Sequence, residues 1–412
     1  MKRRLWQGAA ALACGIAAGH AIAVWIFLYS VMPVHEDVRM TYVAAQAGLR
    51  YGWSSIYDQA TLRALSASFP AGQTTINDLY TYVHPPLVAW LFAPLTLFSE
   101  PVAYLIWTVV SLAALVLAWH LAAPFSAGLA KASMLLLAIG LWPTLAAFYY
   151  GQPIALVLAC VGASWWLVKH DRALTAGVAL AAATFLKPQV VWLLPIALLI
   201  SGRIRVFVGW AAGCAPLGLL SSVALGPAGI NGWLHALQAN QADPAHTVNT
   251  LIHFFGLGPA TVALWLVFAA GALTVAYRRR SDTDVVFAVG LLATSLVAFH
   301  LHELDYAILV LAAWFFLQSS PPLWQRLWLL PGIAALELLA VGNFGGPAWD
   351  VPSHASVIVW AAAWLAILVG SGDRSVLREH GLTDSSAPIA VAVVEHAPLA
   401  RDVTNPRIAD HL

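Results

Sequence analysis

Five short stretches carry the side chains that could do chemistry in this chain. VMPVHEDVRM (31–40) sets His35, Glu36 and Asp37 side by side, with Arg39 just beyond, directly after a long apolar segment. YVHPPLVAWLFAPL (82–95) holds Tyr82 and His84 ahead of a proline pair. FYYGQPIA (148–155) and FLKPQVV (185–191) contribute Gln152, Lys187 and Gln189, and FHLHELDY (299–306) contributes His300, His302, Glu303 and Asp305. Carboxylates can take protons as general bases, and ammonium or imidazolium groups can stabilise developing anions. Imidazole with carboxylate is also a zinc ligand set. His300-x-His302-Glu303 lacks the HExxH spacing that puts two ligands on one helix face, however, so no metal is expected.

Each stretch also has a plain structural reading. His35-Glu36-Asp37 could cap a helix, because Asp is a good N-cap and anions suit a helix N-terminus. Lys187 could snorkel to the membrane surface. The Gly-Gln pair could be a turn among interfacial aromatics. What favours chemistry is convergence on one side of a bilayer, which depends on the elements that carry the residues.

The chain has 412 residues, 61% hydrophobic and 9% charged, with 19 Trp. Soluble domains carry roughly 25% charged residues. Apolar runs of nearly bilayer length recur throughout, so the expected fold is an all-α integral membrane protein. A net charge of +1 with no basic patch gives no reason to expect nucleic acid. Cys14, Cys160 and Cys214 all lie in apolar segments and form neither a disulfide nor a zinc pattern. The basic start MKRRLWQ and the apolar stretch after it are too long for a signal peptide, and are expected to be a retained first helix starting in the cytoplasm.

Lys and Arg near helix ends face the cytoplasm. With every basic cluster inside, the expected spans are 6–32, 102–121, 132–149, 152–168, 173–186, 188–200, 206–225, 258–277, 284–300, 304–318, 327–343 and 354–370. That makes about twelve crossings, both termini in the cytoplasm and a long first outer loop over 33–85. Pro86 to Phe98 is too short to cross and is expected to be re-entrant or interfacial. Spans 173–186 and 188–200 meet at Lys187-Pro188, and proline disfavours helix there, so a broken hairpin lining a cavity is expected. All five stretches then fall on the outer side, as does NQADPAHTVNT (240–250). The expected domains are a membrane domain over 1–370 and a weakly ordered cytoplasmic tail over 371–412.

Together these features resemble the GT-C superfamily: the acid after the first span, the long first outer loop, the Y-x-x-PP-L segment, the Gly-Gln turn and the Lys-Pro break. Within it the chain resembles glycosyltransferase family 87, the polyprenyl-phosphate-mannose-dependent α-mannosyltransferases, which include the phosphatidylinositol-mannoside mannosyltransferases. The resemblance implies a polyprenyl-phosphate-linked sugar donor, with mannose as the sugar, and a lipid or glycan acceptor at the extracytoplasmic face of the cell membrane. It implies inversion and no obligatory metal or other cofactor. It matches the catalytic acid to Asp37, with Glu36 the neighbouring candidate. Lys187, Arg39, His300 and His302 are then candidates for the donor phosphate. Lys187 comes first among them, because a Lys at membrane depth needs an anion and the donor brings one. Tyr82, His84, Gln152, Gln189 and Glu303 are candidates for substrate contact, and Tyr42, Tyr149 and Tyr150 could join Tyr82 at the sugar. The competing class is a twelve-helix transporter of a small or lipid-linked solute, but such proteins often show two related halves and this chain shows no repeat. A glycan polymerase or ligase is a third possibility.

Overall fold

A computed structural model describes residues 2–31, 35–67, 69, 81–242, 249–344 and 347–371. No strand occurs among them. Met1–Ser371 form one compact unit, and the expected tail over 371–412 lies, apart from Ser371, outside the described residues.

Six helices are long and apolar enough to cross a membrane, or seven if one bent pair counts as a span. They lie within α1 (Lys2–Val31), α5 (Glu100–Ala122), α11 (Ile204–Ala242), α13 (Pro259–Arg278), the pair α16 (Leu323–Leu327) and α17 (Leu329–Phe344), and α18 (Pro347–Gly370). The bent pair is α6 (Gly128–Gly140) with α7 (Trp142–Tyr149), at 58°. Before α5 come α2 (Glu36–Tyr51), α3 (Gln59–Ser66) and α4 (Pro86–Phe92), the last running into a 3-10 turn over Ala93–Leu97. The remaining helices are short: α8 (Ile154–Lys169), α9 (Ala173–Leu186), α10 (Leu193–Ile200), α12 (Leu251–Phe255), α14 (Thr283–Leu296) and α15 (Ile308–Gln318).

The expected count of twelve crossings is not matched by helix length alone. Every expected span has a helical counterpart, but α8, α9, α10, α14 and α15 are too short to cross unaided. Their sequences explain how they survive. Residues Asp284 to Leu296 of α14 are all buried, and most of α15 is too. A helix apolar all round belongs inside protein. The long helices instead keep exposed apolar side chains, such as Leu12, Ile16, Val109, Leu219 and Val267. Short helices thus pack within the compact unit, where protein rather than lipid can meet their free ends.

Two helix breaks redirect the chain. α11 continues past the expected end at 225, bending at Gly226 (φ 59°, ψ −178°) before Pro227, and runs on to Ala242. The α6–α7 bend frees an N–H that has no partner within α7. The Trp142 N–H donates to Glu337 Oε1 of α17 at 2.9 Å, so an acid inside the bundle is explained by the kink.

Opposite helix ends differ in chemistry. Lys169, at the end of α8, pairs with Asp284 at the start of α14 at 3.0 Å, and Arg203 donates to Thr283 Oγ1 at 2.7 Å. The other ends of α8 and α14 lead to Gln152 and to His300–Asp305. One end of these helices therefore carries cations and the other the candidate site.

α9 and α11 cross at glycines. A Cβ on Gly177 would stand 2.2 Å from the Val206 carbonyl oxygen, and one on Gly209 would stand 2.2 Å from that of Leu174. Small residues let membrane helices approach this closely. Gly209→Val should therefore lower the melting temperature of the purified protein in detergent, at an overpacking cost of about 1–3 kcal/mol or more. Gly8→Val, where a Cβ meets nothing within 4 Å, should melt like the wild type; equal melting of the two variants would refute the close crossing.

Candidate active site

The helix α2 begins where the chain leaves α1. His35 is its N-cap, extended at φ −76° and ψ 152°, and its Nδ1 accepts from the Asp37 N–H at 3.3 Å. The ring stands edge-on to Tyr149 and Tyr150, with centroids 4.8 and 4.3 Å away. His35 thus does cap the helix, and the capping leaves Asp37 in the first turn facing a cavity. Glu36 opens the same turn, but its side chain lies outside the described positions.

The Gly-Gln turn between α7 and α8 presses against α2. Gly151 has φ 64°, which disfavours any other residue. A Cβ there would also meet Val38 Cγ2 at 2.3 Å. The Trp107 indole N–H donates to the Gly151 carbonyl at 2.8 Å, and the Tyr104 hydroxyl reaches the Phe148 and Tyr149 carbonyls. Clamped in this way, the turn brings Gln152 to Asp37, and Gln152 Nε2 donates to Asp37 Oδ2 at 2.7 Å.

Lys187 closes α9 at φ −157° and ψ 83°, an extended conformation of the kind that a following proline favours. A 3-10 turn over Pro188–Val190 follows before α10, so the broken hairpin is present. Lys187 is 2% exposed. Its Nζ donates to Gln152 Oε1 at 3.0 Å and pairs with Asp305 Oδ1 at 2.5 Å. Asp305 Oδ2 accepts from the His302 N–H at 3.1 Å, which fixes the carboxylate on its own 3-10 turn over Glu303–Ala307.

These groups border a cavity of about 880 Å³, within the usual range for small-molecule sites. Its polar lining includes Asp37, Tyr82, His84, Gln152, Lys187, Gln189, His300, His302 and Glu303. Its apolar lining includes Met40, Trp233, Leu234, Leu237, Ile252, Leu257 and Phe299, interleaved along the chain with polar residues. Burial pushes the His84 imidazole down to about 3, with Lys187 and His300 adding to the effect, so the ring is neutral at neutral pH. Burial also raises the Glu303 carboxyl, helped by Asp305 and Asp37 and opposed by a hydrogen bond with Tyr150. Among the described residues, no group of three His, Cys, Asp or Glu side chains could hold a metal ion.

Most of the expected site residues therefore share one cavity, and Arg39 does not. Its guanidinium makes two hydrogen bonds to buried Glu100, at 2.9 and 2.8 Å, and lies 4.7 Å from the Phe69 ring centroid. Arg39 is a strut between α2 and α5 because Glu100 satisfies it first. Tyr42 also turns away, its hydroxyl donating to the Phe98 carbonyl at 2.8 Å. The premise for Lys187 changes as well: the chain supplies its counter-anion, Asp305, without waiting for a donor.

Several wall residues were missed by sequence reasoning. Trp233, Leu234, Leu237 and Gln238 come from the second leg of α11, which runs on into the outer stretch with Gln241. Their four-residue spacing is a helix signal, hidden by the Gly-Pro break before it. Glu100 begins a span, where an acid reads as ordinary capping.

The sequence matches the profile of glycosyltransferase family 87 over residues 82–302. The chain belongs to glycosyltransferase family 87. No curated protein and no solved structure matches it at a significant level. Membership makes it a membrane glycosyltransferase rather than a transporter. The matched region contains His84, Gln152, Lys187, Gln189, His300 and His302, while Asp37 lies before it and Asp305 after it.

Removing one partner of a buried ion pair strands the other charge, at a cost of about 3–5 kcal/mol. Arg39→Met should therefore markedly lower the melting temperature of this glycosyltransferase, and Arg39→Met combined with Glu100→Leu should recover much of the loss. A thermal melt that Arg39→Met leaves unchanged would make Arg39 a candidate for substrate contact again.

Proposed function

We propose that the protein transfers a sugar, mannose by likeness to the family, from a polyprenyl-phosphate carrier to a hydroxyl of a lipid or glycan acceptor. The observation that carries this reading is a carboxylate, Asp37, set in a cavity lined by both polar and apolar side chains. A lipid-linked sugar needs both kinds of surface: polar groups for its head and apolar side chains for the first units of its tail.

In the proposed reaction, Asp37 takes the acceptor O–H proton as that oxygen attacks the anomeric carbon. The new C–O bond forms on one face while the bond to phosphate breaks on the other. The electron pair leaves with polyprenyl phosphate, and the anomeric centre inverts. N–H groups of His300 and His302 meet the charge that grows on the phosphate. Neutral His84, with Gln189 and Glu303, offers hydrogen-bond partners to sugar hydroxyls. By the positive-inside rule the cation-rich helix ends would face the cytoplasm, which supports a cavity on the extracytoplasmic side of the cell membrane.

The test is transfer of radiolabelled mannose from polyprenyl-phosphate-mannose into membrane lipids and glycans. Wild type should transfer. Asp37→Asn should lose about 10²–10⁴-fold in rate, the usual contribution of a general base. Near-wild-type transfer by both Asp37→Asn and Glu36→Gln would sink the mechanism. Wild-type transfer from another lipid-linked sugar alone would replace mannose and keep the rest.

A further inference from the structure

The interior of the site holds four groups in series: Asp305, Lys187, Gln152 and Asp37, joined by contacts of 2.5, 3.0 and 2.7 Å. An ammonium has three donors and no acceptor, and an ionised carboxylate only accepts. Facing Lys187, the Gln152 amide can therefore present only its oxygen. Its NH₂ must then turn to Asp37. A flipped amide would set NH₂ against the ammonium and oxygen against the carboxylate, two repulsive contacts in place of two attractive ones. Lys187 cannot swing away, because it is 2% exposed and held by Asp305, which is 1% exposed.

We propose that Gln152 is a positioning residue of the transfer reaction, its amide oriented by the Lys187–Asp305 pair so that it aims and holds the Asp37 carboxylate. The inference rests on the reading of Asp37 as the base. It assigns Lys187 to the base rather than to the donor phosphate. A donated hydrogen bond favours the ionised carboxylate, which is the form that accepts a proton. The other titratable groups at Asp37 are His35 on its own turn, Tyr150 from the turn after α7, and Glu303 from the segment after α14.

The experiment compares the full-length protein with Gln152→Glu and Gln152→Ala, measuring kcat, donor KM and the pH dependence of kcat with polyprenyl-phosphate-mannose. In Gln152→Glu, a like charge replaces the donor beside Asp37. Its kcat at neutral pH should fall about 10- to 100-fold, and the acidic limb of the profile should move up by about one pH unit. Donor KM should stay within about threefold, because the substrate does not touch Gln152 for this role. Gln152→Ala should show the same shift with smaller size, and it decides the matter if Gln152→Glu does not melt cooperatively by tryptophan fluorescence. An unmoved acidic limb, or a loss confined to donor KM, would overturn the inference and return Lys187 and Gln152 to the donor. Asp37→Asn with near-wild-type transfer would instead overturn the reading of the base, and this inference with it. An inactive Asp37→Asn beside an unshifted Gln152→Glu overturns the inference alone.

Discussion

The buried pair of Lys187 and Asp305 is the interaction on which the site depends. Neither charge could stay ionised alone in a low-dielectric interior. The pair ties the break after α9 to the 3-10 turn before α15, two segments more than a hundred residues apart in sequence. Because Lys187 is held, Gln152 has one orientation, and because Gln152 has one orientation, α2 is docked through Asp37. The proline after Lys187 shares in this. Without it α9 could continue, and the ammonium would follow the helix surface instead of pointing inward.

A second charge pair does a different task on the same helix. Arg39 and Glu100 bind α2 to α5 away from the cavity, and the Gly151 turn packs against Val38 between the two. The first two turns of α2 are thus fixed from three directions: by an ion pair, by a steric contact and by a hydrogen bond. That is a reasonable way to hold a carboxylate at the start of a short helix. The cost is tolerance, because Gly151 leaves no room for a Cβ at the point of contact.

Much of this was legible in the sequence, for physical reasons that can be named. Long apolar runs identify a membrane protein because lipid imposes length and polarity together. Lys187-Pro188 announced a helix break, since proline acts locally whatever the tertiary context. Asp37, His84, Gln152 and Lys187 were found as polar groups that a hydrophobic chain had to justify. Partners were harder to see. Asp305 and Glu100 are acids in ordinary places, and only folding shows that they answer Lys187 and Arg39. The count of crossings is hard to read for a related reason: hydropathy reports that a helix is apolar, not whether its surroundings are lipid or protein.

The shortness of the central helices has a consequence for what could reach the proposed base. The 14 residues of α9 rise about 21 Å at 1.5 Å per residue, against a hydrocarbon thickness of about 30 Å. With Arg172 at one membrane surface, Lys187 stands about 9 Å or more short of the other. On the proposed topology the cavity would be a well sunk beneath the headgroup plane, and its depth would act as a ruler. A hydroxyl on a stiff or crowded surface would stop at the rim, whereas one carried on a slender, flexible arm could descend to Asp37. Reach, as much as any contact with the acceptor's own groups, would sort the molecules this protein can glycosylate.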